Sequence, residues 1–246
     1  MKTFSITDIG QKRSSNQDYV FSSEQPIGNL PNLFIVADGM GGHKAGDYAS
    51  RYTVETLEKL IRESTLSEPA AIIESAVKQA NTMLLEEANN HEEMKGMGTT
   101  LVICTIHDNV LTVANVGDSR LYVVNQEIRQ ITKDHSLVEE MVRMGEMDKE
   151  TARNHRDKNI ITRAIGAVPE VDVDFFEINL DPEDEILMCT DGLTNMVPDA
   201  ELALLLQESA FFDAPGVLVD RALKGGGQDN ITVLLLGVET TEETNG

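Results

Sequence analysis

Five aspartates stand where a solvated surface would not put them. Three end or follow short apolar runs and have Gly or Ser directly behind them: Phe34-Ile35-Val36-Ala37-Asp38-Gly39, Ala114-Asn115-Val116-Gly117-Asp118-Ser119 and Leu187-Met188-Cys189-Thr190-Asp191-Gly192. Two more precede apolar residues, in Asn16-Gln17-Asp18 before Tyr19-Val20-Phe21 and in Gly227-Gln228-Asp229-Asn230 before Ile231. A carboxylate at a buried strand end is costly unless a cation neutralises it. Bases are scarce, with Lys+Arg 20 against Asp+Glu 42 in 246 residues and a formal net charge of −22. Divalent ions are the alternative, because hard Mg²⁺ or Mn²⁺ prefers carboxylate, carbonyl and water oxygens. A glycine beside the aspartate lets the backbone come close enough for its own carbonyl to join such a set. One Asp-Gly alone signals a turn. The repeated placement points to a shared metal site, although spacing does not show that the strand ends converge.

The same acidity excludes other classes. Polyanion binding needs a cationic stripe, so nucleic acid and anionic membranes are not expected partners. The acid is uneven, since residues 124–246 hold 26 of the 42 acids against 10 of the 20 bases. Most of it reads as a solvated surface that would favour basic substrate segments. A hydrophobic content of 41% argues against disorder. Cys104 and Cys189 cannot form a disulfide framework and suit a reducing cytosol. The opening residues lack the apolar block expected of a signal peptide, and Val233 to Val238 falls far short of the ~20 apolar residues of a membrane span. A cytoplasmic, monomeric protein is expected.

The elements that must carry the aspartates follow from periodicity. Leu33 to Ala37 reads as a strand buried on both faces. Ala45 to Ile61 repeats at helical spacing, and a second helix opens at Pro69, a residue suited to the first helical position. Leu101–Ile106, Val110–Val116 and Arg120–Val124 read as an antiparallel meander. Ser136 with Glu139 makes a capping box for a helix Leu137–Met144 that stops at Gly145. Residues 146–166 are polar and weakly periodic, an excursion from the core. Val171–Ile178 and Glu185–Thr190 read as strands, Pro198–Gln207 and Pro215–Leu223 as helices, and Ile231–Val238 as a closing strand. This order is α+β, not the alternation of a doubly wound sheet. No linker interrupts it, so residues 1–246 are expected to form one domain, a layered sandwich of sheets between helix pairs.

Several phosphate-handling chemistries lack their residues here. Six positions after Cys104 and Cys189 stand Val110 and Asn195, so the Cys-x₅-Arg of a cysteine phosphatase is absent. In Val171-Asp172-Val173-Asp174-Phe175, alternation with one acidic face explains the Asp-x-Asp pattern. Neither Gly-x₄-Gly-Lys-Ser/Thr nor Gly-x-Gly-x-x-Gly occurs, and the histidines lack paired spacing for zinc.

The segments Arg13-Ser14-Ser15-Asn16-Gln17-Asp18, Asp38-Gly39-Met40-Gly41-Gly42, Gly117-Asp118-Ser119-Arg120, Asp191-Gly192 and Gln228-Asp229-Asn230, in this order, resemble the motif series of the PPM family. These are the metal-dependent, type 2C protein serine/threonine phosphatases, and the likeness runs from Asp8-Ile9-Gly10 to the last strand. It implies a four-layer α-β-β-α sandwich of two antiparallel sheets. It also implies hydrolysis of phosphoserine and phosphothreonine in proteins by a water or hydroxide held between two ions, Mn²⁺ or Mg²⁺. Asp38 would bridge the two metals, and Gly39 would offer its carbonyl to one of them. Asp191 and Asp229 would hold the other, and Asp18 would act through a bound water. Asp118 with Asp191 would hold a third, weaker ion. Arg13 would grip the substrate phosphate with its planar fork. Residues 146–166, ending in Thr162-Arg163-Ala164-Ile165-Gly166, resemble the family's flap. Met40 stands where animal members have a histidine, and Gln17 where they have an acid; both changes resemble bacterial members. His43 is the nearby candidate proton donor. The expected role is that of a stand-alone bacterial member opposing a Ser/Thr kinase. The alternative is a catalytically weak module that binds phosphoproteins or regulates a partner on the same fold; a phosphatase dedicated to one signalling switch is a third possibility.

Overall fold

A computed structural model of the chain describes residues 1–42 and 45–238. His43, the candidate proton donor, lies outside the described residues. Eleven strands are described: β1 (Lys2–Asp8), β2 (Asp18–Ser23), β3 (Leu33–Met40), β4 (Gly98–Thr99), β5 (Leu101–His107), β6 (Val110–Val116), β7 (Arg120–Val124), β8 (Ile128–Gln130), β9 (Asp174–Asn179), β10 (Glu185–Cys189) and β11 (Ile231–Gly237). The α-helices are α1 (Ala45–Glu63), α2 (Pro69–Asn90), α3 (Leu137–Arg143), α4 (Lys149–Arg153), α5 (Asp191–Thr194), α6 (Asp199–Glu208) and α7 (Ala214–Lys224). The strands form two antiparallel sheets, one ordered β1-β11-β10-β7-β8 and the other β2-β3-β5-β6-β9, with β4 paired to β3.

Alternation along each strand builds the layers. On β3, Leu33, Ile35 and Ala37 pack with α1 and α2, while Phe34 and Val36 face the other sheet. On β11, Leu234 and Leu236 enter the core between the sheets, while Ile231, Val233 and Leu235 pack with α6 and α7. Three apolar interfaces therefore stack four layers, and both faces of the central strands are buried. That is why these strands read as continuous apolar runs rather than as alternating ones. Cys104 and Cys189 are buried free thiols within this packing.

One expectation of topology is corrected. β5 and β6 pair as a hairpin, but β7 leaves for the other sheet and pairs with β10 and β8. The crossing is made at Gly117, whose φ of 104° suits a residue without Cβ. His135 helps to hold that turn: the Gly117 N–H donates to His135 Nδ1 at 3.1 Å, and the His135 N–H donates to the Gly117 carbonyl at 2.9 Å. The crossing projects Asp118 inward, which a continuous meander would not do. The strand expected from Val171 starts only at Asp174, and β1, whose apolar residues alternate with Thr and Ser, was not anticipated.

Residues 146–166 do leave the sheets. They contain α4 and return through isolated bridges of Ile161 to Ser136 and of Ile165 to Thr99. The return is pinned by buried Asn81 of α2, which accepts from the Gly166 N–H at 2.8 Å and donates to the Val168 and Pro169 carbonyls.

Candidate active site

The ends of several elements meet at one end of the sandwich. In β2–β3 register Asp18 lies directly opposite Asp38. Asp118 arrives on the crossing turn, Asp191 opens α5 just after β10, and Asp229 stands before β11. A cavity of ≈ 210 Å³ is lined by Arg13, Gln17, Asp38, Gly39, Asp118, Asp191 and Asp229, with Thr100 in its wall and Asn159 and Ile161 contributed by the excursion. Asp18 does not line it; it lies behind the wall, buried beside Asp38.

Close backbone approach makes the site possible. A Cβ on Gly39 would sit 1.9 Å from the Gly46 carbonyl oxygen, and one on Gly192 would sit 1.9 Å from that of Asn230. The first glycine seats β3 against the start of α1, and the second seats α5 against β11. Asp38 is fixed through its main chain: its N–H donates to Thr100 Oγ1 at 2.9 Å, and its carbonyl accepts from Thr99 Oγ1 and from the Thr100 N–H. Asn230 clamps the N-terminal loop to β11, donating to the Ile9 and Ser15 carbonyls and accepting from the Gln17 N–H.

The carboxylates crowd one another in a dry place. Asp38 is held well above the ordinary carboxylate range by burial, and then by repulsion from Asp18, Asp191, Asp118 and Asp229. Burial pushes Asp18 up to about 7 against the pull of its hydrogen bonds from Thr232 and Thr190. Burial and Asp229 push Asp191 up to about 6, opposed by Lys158, Arg120 and Arg13. Asp118 is raised by burial and by Asp191 and Asp134. All five predicted aspartates are thus one electrostatic group, which spacing could not establish.

Two observations test whether divalent ions suit this group. Asp18 Oδ1 and Asp191 Oδ1 are buried with no hydrogen-bond partner among the described residues, a costly state for carboxylate oxygens that a cation relieves. The donors are all oxygens, the set that Mg²⁺ and Mn²⁺ prefer. Among the described residues, no three His, Cys, Asp or Glu side chains already close tightly around a metal-sized point. The charges lie across a cavity instead, which suits ions that retain several waters. The residues fit divalent ions.

Arg13 stands half-exposed at the rim, its Nη2 donating to Asp229 Oδ2 at 2.7 Å. Next to this cavity lies a larger one of ≈ 390 Å³ that shares Asp118 and Asp191 and takes Lys149, Arg153 and Lys158 from the excursion. Asp174 is more than part of an acidic face, because it accepts from Arg163 at 2.8 Å and faces His135 Nε2 at 3.2 Å. Sequence reasoning missed the polar residues behind the aspartates, namely Thr100, Thr190, Asn230 and Thr232. For Thr190, Asn230 and Thr232 the available signal was a Thr or Asn next to Asp or Ile at a strand end; Thr100, between Thr99 and Leu101, carried none.

Two stacked antiparallel sheets between helix pairs, with an acid-lined cavity and one guanidinium at its rim, define a phosphatase class. The chain belongs to the Protein phosphatase 2C family, whose profile matches residues 10–218. It is similar to the serine/threonine phosphatase stp of Listeria monocytogenes, 41% identical over 245 residues and covering 96% of each chain. It is also similar to the crystal structure of the serine/threonine phosphatase Stp1 of Staphylococcus aureus, at TM-score 0.90 and 36% identity, covering 97% of this chain and 95% of that one. A third likeness is to the catalytic domain of the serine threonine protein phosphatase PstP, solved in complex with two manganese ions, at TM-score 0.86 and 31% identity over 97% and 98% of the chains. The chain is therefore an enzyme, a protein phosphatase. No helix among the described residues is long and apolar enough to cross a membrane.

Proposed function

We propose that this enzyme hydrolyses phosphoserine and phosphothreonine in proteins at the aspartate-lined cavity, using divalent metal ions. Support comes from one observation above others: five carboxylates from five separate chain segments form a single repulsive group in and behind the wall of one cavity, with two buried oxygens lacking a partner among the described residues. Asp38, Asp191, Asp229 and the Gly39 carbonyl would hold two core ions, with Asp18 acting from behind through water. Asp118 with Asp191 would hold a third, weaker ion. Mn²⁺ or Mg²⁺ is the expected metal, and when bound it would supply Lewis-acid activation of water and neutralise charge on the transferred phosphoryl oxygens.

The chain's own residues do the rest. Arg13 leaves its pairing with Asp229 and turns its fork to the substrate phosphate, where bidentate charge-assisted hydrogen bonds orient the phosphorus for in-line displacement. Close seating of Gly39 against Gly46 keeps bulk from entering between Asp38 and α1. Residues 146–166 act as a flap that contributes Asn159 and Ile161 to the cavity wall and presents Lys149, Arg153 and Lys158 beside it. Residues 1–246 work as one phosphatase domain. Its partners are phosphorylated proteins in the cytoplasm that a Ser/Thr kinase modifies, and it works as a monomer.

The test is turnover of a phosphothreonine peptide with Mn²⁺, its loss to a chelator, and its loss in Asp38→Asn with the circular dichroism spectrum unchanged. Undiminished turnover in Asp38→Asn would refute the role given to that residue.

A further inference from the structure

Asp18 is the one carboxylate of the group that lies behind the cavity wall, and its surroundings are unusually ordered. Its Oδ2 accepts two hydrogen bonds, from Thr232 Oγ1 at 2.7 Å and from Thr190 Oγ1 at 2.9 Å. Each hydroxyl carries a single proton, so both are spent on Asp18. The remaining contacts then have only one possible direction. Thr232 Oγ1 lies 2.8 Å from Thr7 Oγ1, its register partner across β1–β11, and Thr7 must be the donor there. Thr7 in turn accepts from Asn16 Nδ2 at 2.7 Å. Thr190 Oγ1, its own proton used, accepts from the Thr232 N–H at 3.0 Å.

The result is a chain of hydrogen bonds running one way, from the Asn16 amide through Thr7 and Thr232 to the Asp18 carboxylate, with Thr190 as a second arm. It starts in the N-terminal loop, passes through β1 and β11 of one sheet, and ends on β2 of the other. Asp18 Oδ1 is left buried and without a partner among the described residues. One oxygen is fully committed and the other is held free by the same contacts.

We propose that Thr190 and Thr232 are positioning residues that fix the Asp18 carboxylate and reserve Oδ1 for the hydration shell of the metal site, with Thr7 and Asn16 orienting the Thr232 hydroxyl. The inference rests on the metal-dependent reading above and deepens it by assigning residues that touch neither metal nor substrate. Outer hydrogen-bond partners of this kind typically change metal affinity 10–100-fold when removed. Valine matches threonine in shape and suits a strand, so Thr232→Val removes the hydroxyl while keeping the packing.

The experiment measures Mn²⁺ binding to the full chain by titration calorimetry, with melting temperature in chelator as a control for folding. Thr232→Val and Thr190→Val should each bind Mn²⁺ about 10-fold or more weakly, with kcat/KM at limiting Mn²⁺ falling in parallel. Thr232→Ser keeps the donor and should restore near-native affinity. Thr7→Val removes an outer link and should weaken binding less than Thr232→Val does. Native Mn²⁺ affinity in both valine variants would overturn the proposal while leaving the metal-dependent reading intact. So would a fall in melting temperature alone, with Mn²⁺ affinity unmoved. Absence of any Mn²⁺ binding by the unaltered chain would overturn both.

Discussion

Replacing Gly39 with alanine tests whether the catalytic geometry depends on one close backbone contact. The added Cβ would lie 1.9 Å from the Gly46 carbonyl oxygen and 2.9 Å from that of Gln17, both main-chain atoms that no rotamer change can move. Real Cβ contacts essentially never fall below 3.0 Å, so β3 and the first turn of α1 must separate by about 1.1 Å at least. That displacement falls next to Asp38 and on the Gly39 carbonyl itself. Misplacement of about 1 Å in a catalytic constellation costs on the order of 10²-fold in rate, or about 2.7 kcal/mol of barrier. Overpacking of this kind also costs stability, on the order of 1–3 kcal/mol. The assay is kcat/KM on a phosphothreonine peptide at saturating Mn²⁺, with circular dichroism and thermal melts to show that the variant is folded. Gly42→Ala is the matched control, since among the described residues a Cβ there meets nothing within 4 Å. Gly39→Ala retaining turnover within about threefold of the parent, or Gly42→Ala losing as much, would refute the reasoning.

Two further outcomes follow from the same geometry. In metal-free protein, Asp18 and Asp191 sit at about 7 and about 6 against an ordinary value of 3.8, so the folded state binds more protons than the unfolded chain between these limits. Stability without metal should therefore fall as pH rises from about 4 to about 7, while stabilisation by Mn²⁺ grows and binding releases protons. Chemical denaturation with and without chelator across this range checks it; a metal-free midpoint that climbs through the window because of these groups would contradict the sign. Asn81→Ala strips partners from the Gly166 N–H and from the Val168 and Pro169 carbonyls, and should cost about 1–3 kcal/mol in urea denaturation. A loss under roughly 0.5 kcal/mol would show that the return of residues 146–166 is held elsewhere.

Much of the site was legible in the sequence because buried carboxylates are costly in a chain so poor in bases. Asp18, Asp38, Asp118, Asp191 and Asp229 stood out by their placement beside apolar strands, and that placement is local information. The layered architecture was legible for a similar reason: strands buried on both faces must be apolar throughout, as Leu33–Ala37 is. Four sets of facts were not local. The exit of β7 to the other sheet depends on the φ of Gly117 and on its clasp with His135, 18 residues away in the chain. The fit of Gly39 to Gly46 depends on where α1 docks. Arg13 meets Asp229 across 216 residues of sequence, and the hydroxyl chain behind Asp18 joins residues from both sheets. Composition and spacing determined which side chains carry charge into the interior, because the cost of burial attaches to each residue wherever it lies. Only the tertiary structure decided that four of the carboxylates line one cavity with Asp18 behind its wall, and which oxygens are left unpaired among the described residues, because distances between segments are set by packing of the whole sandwich.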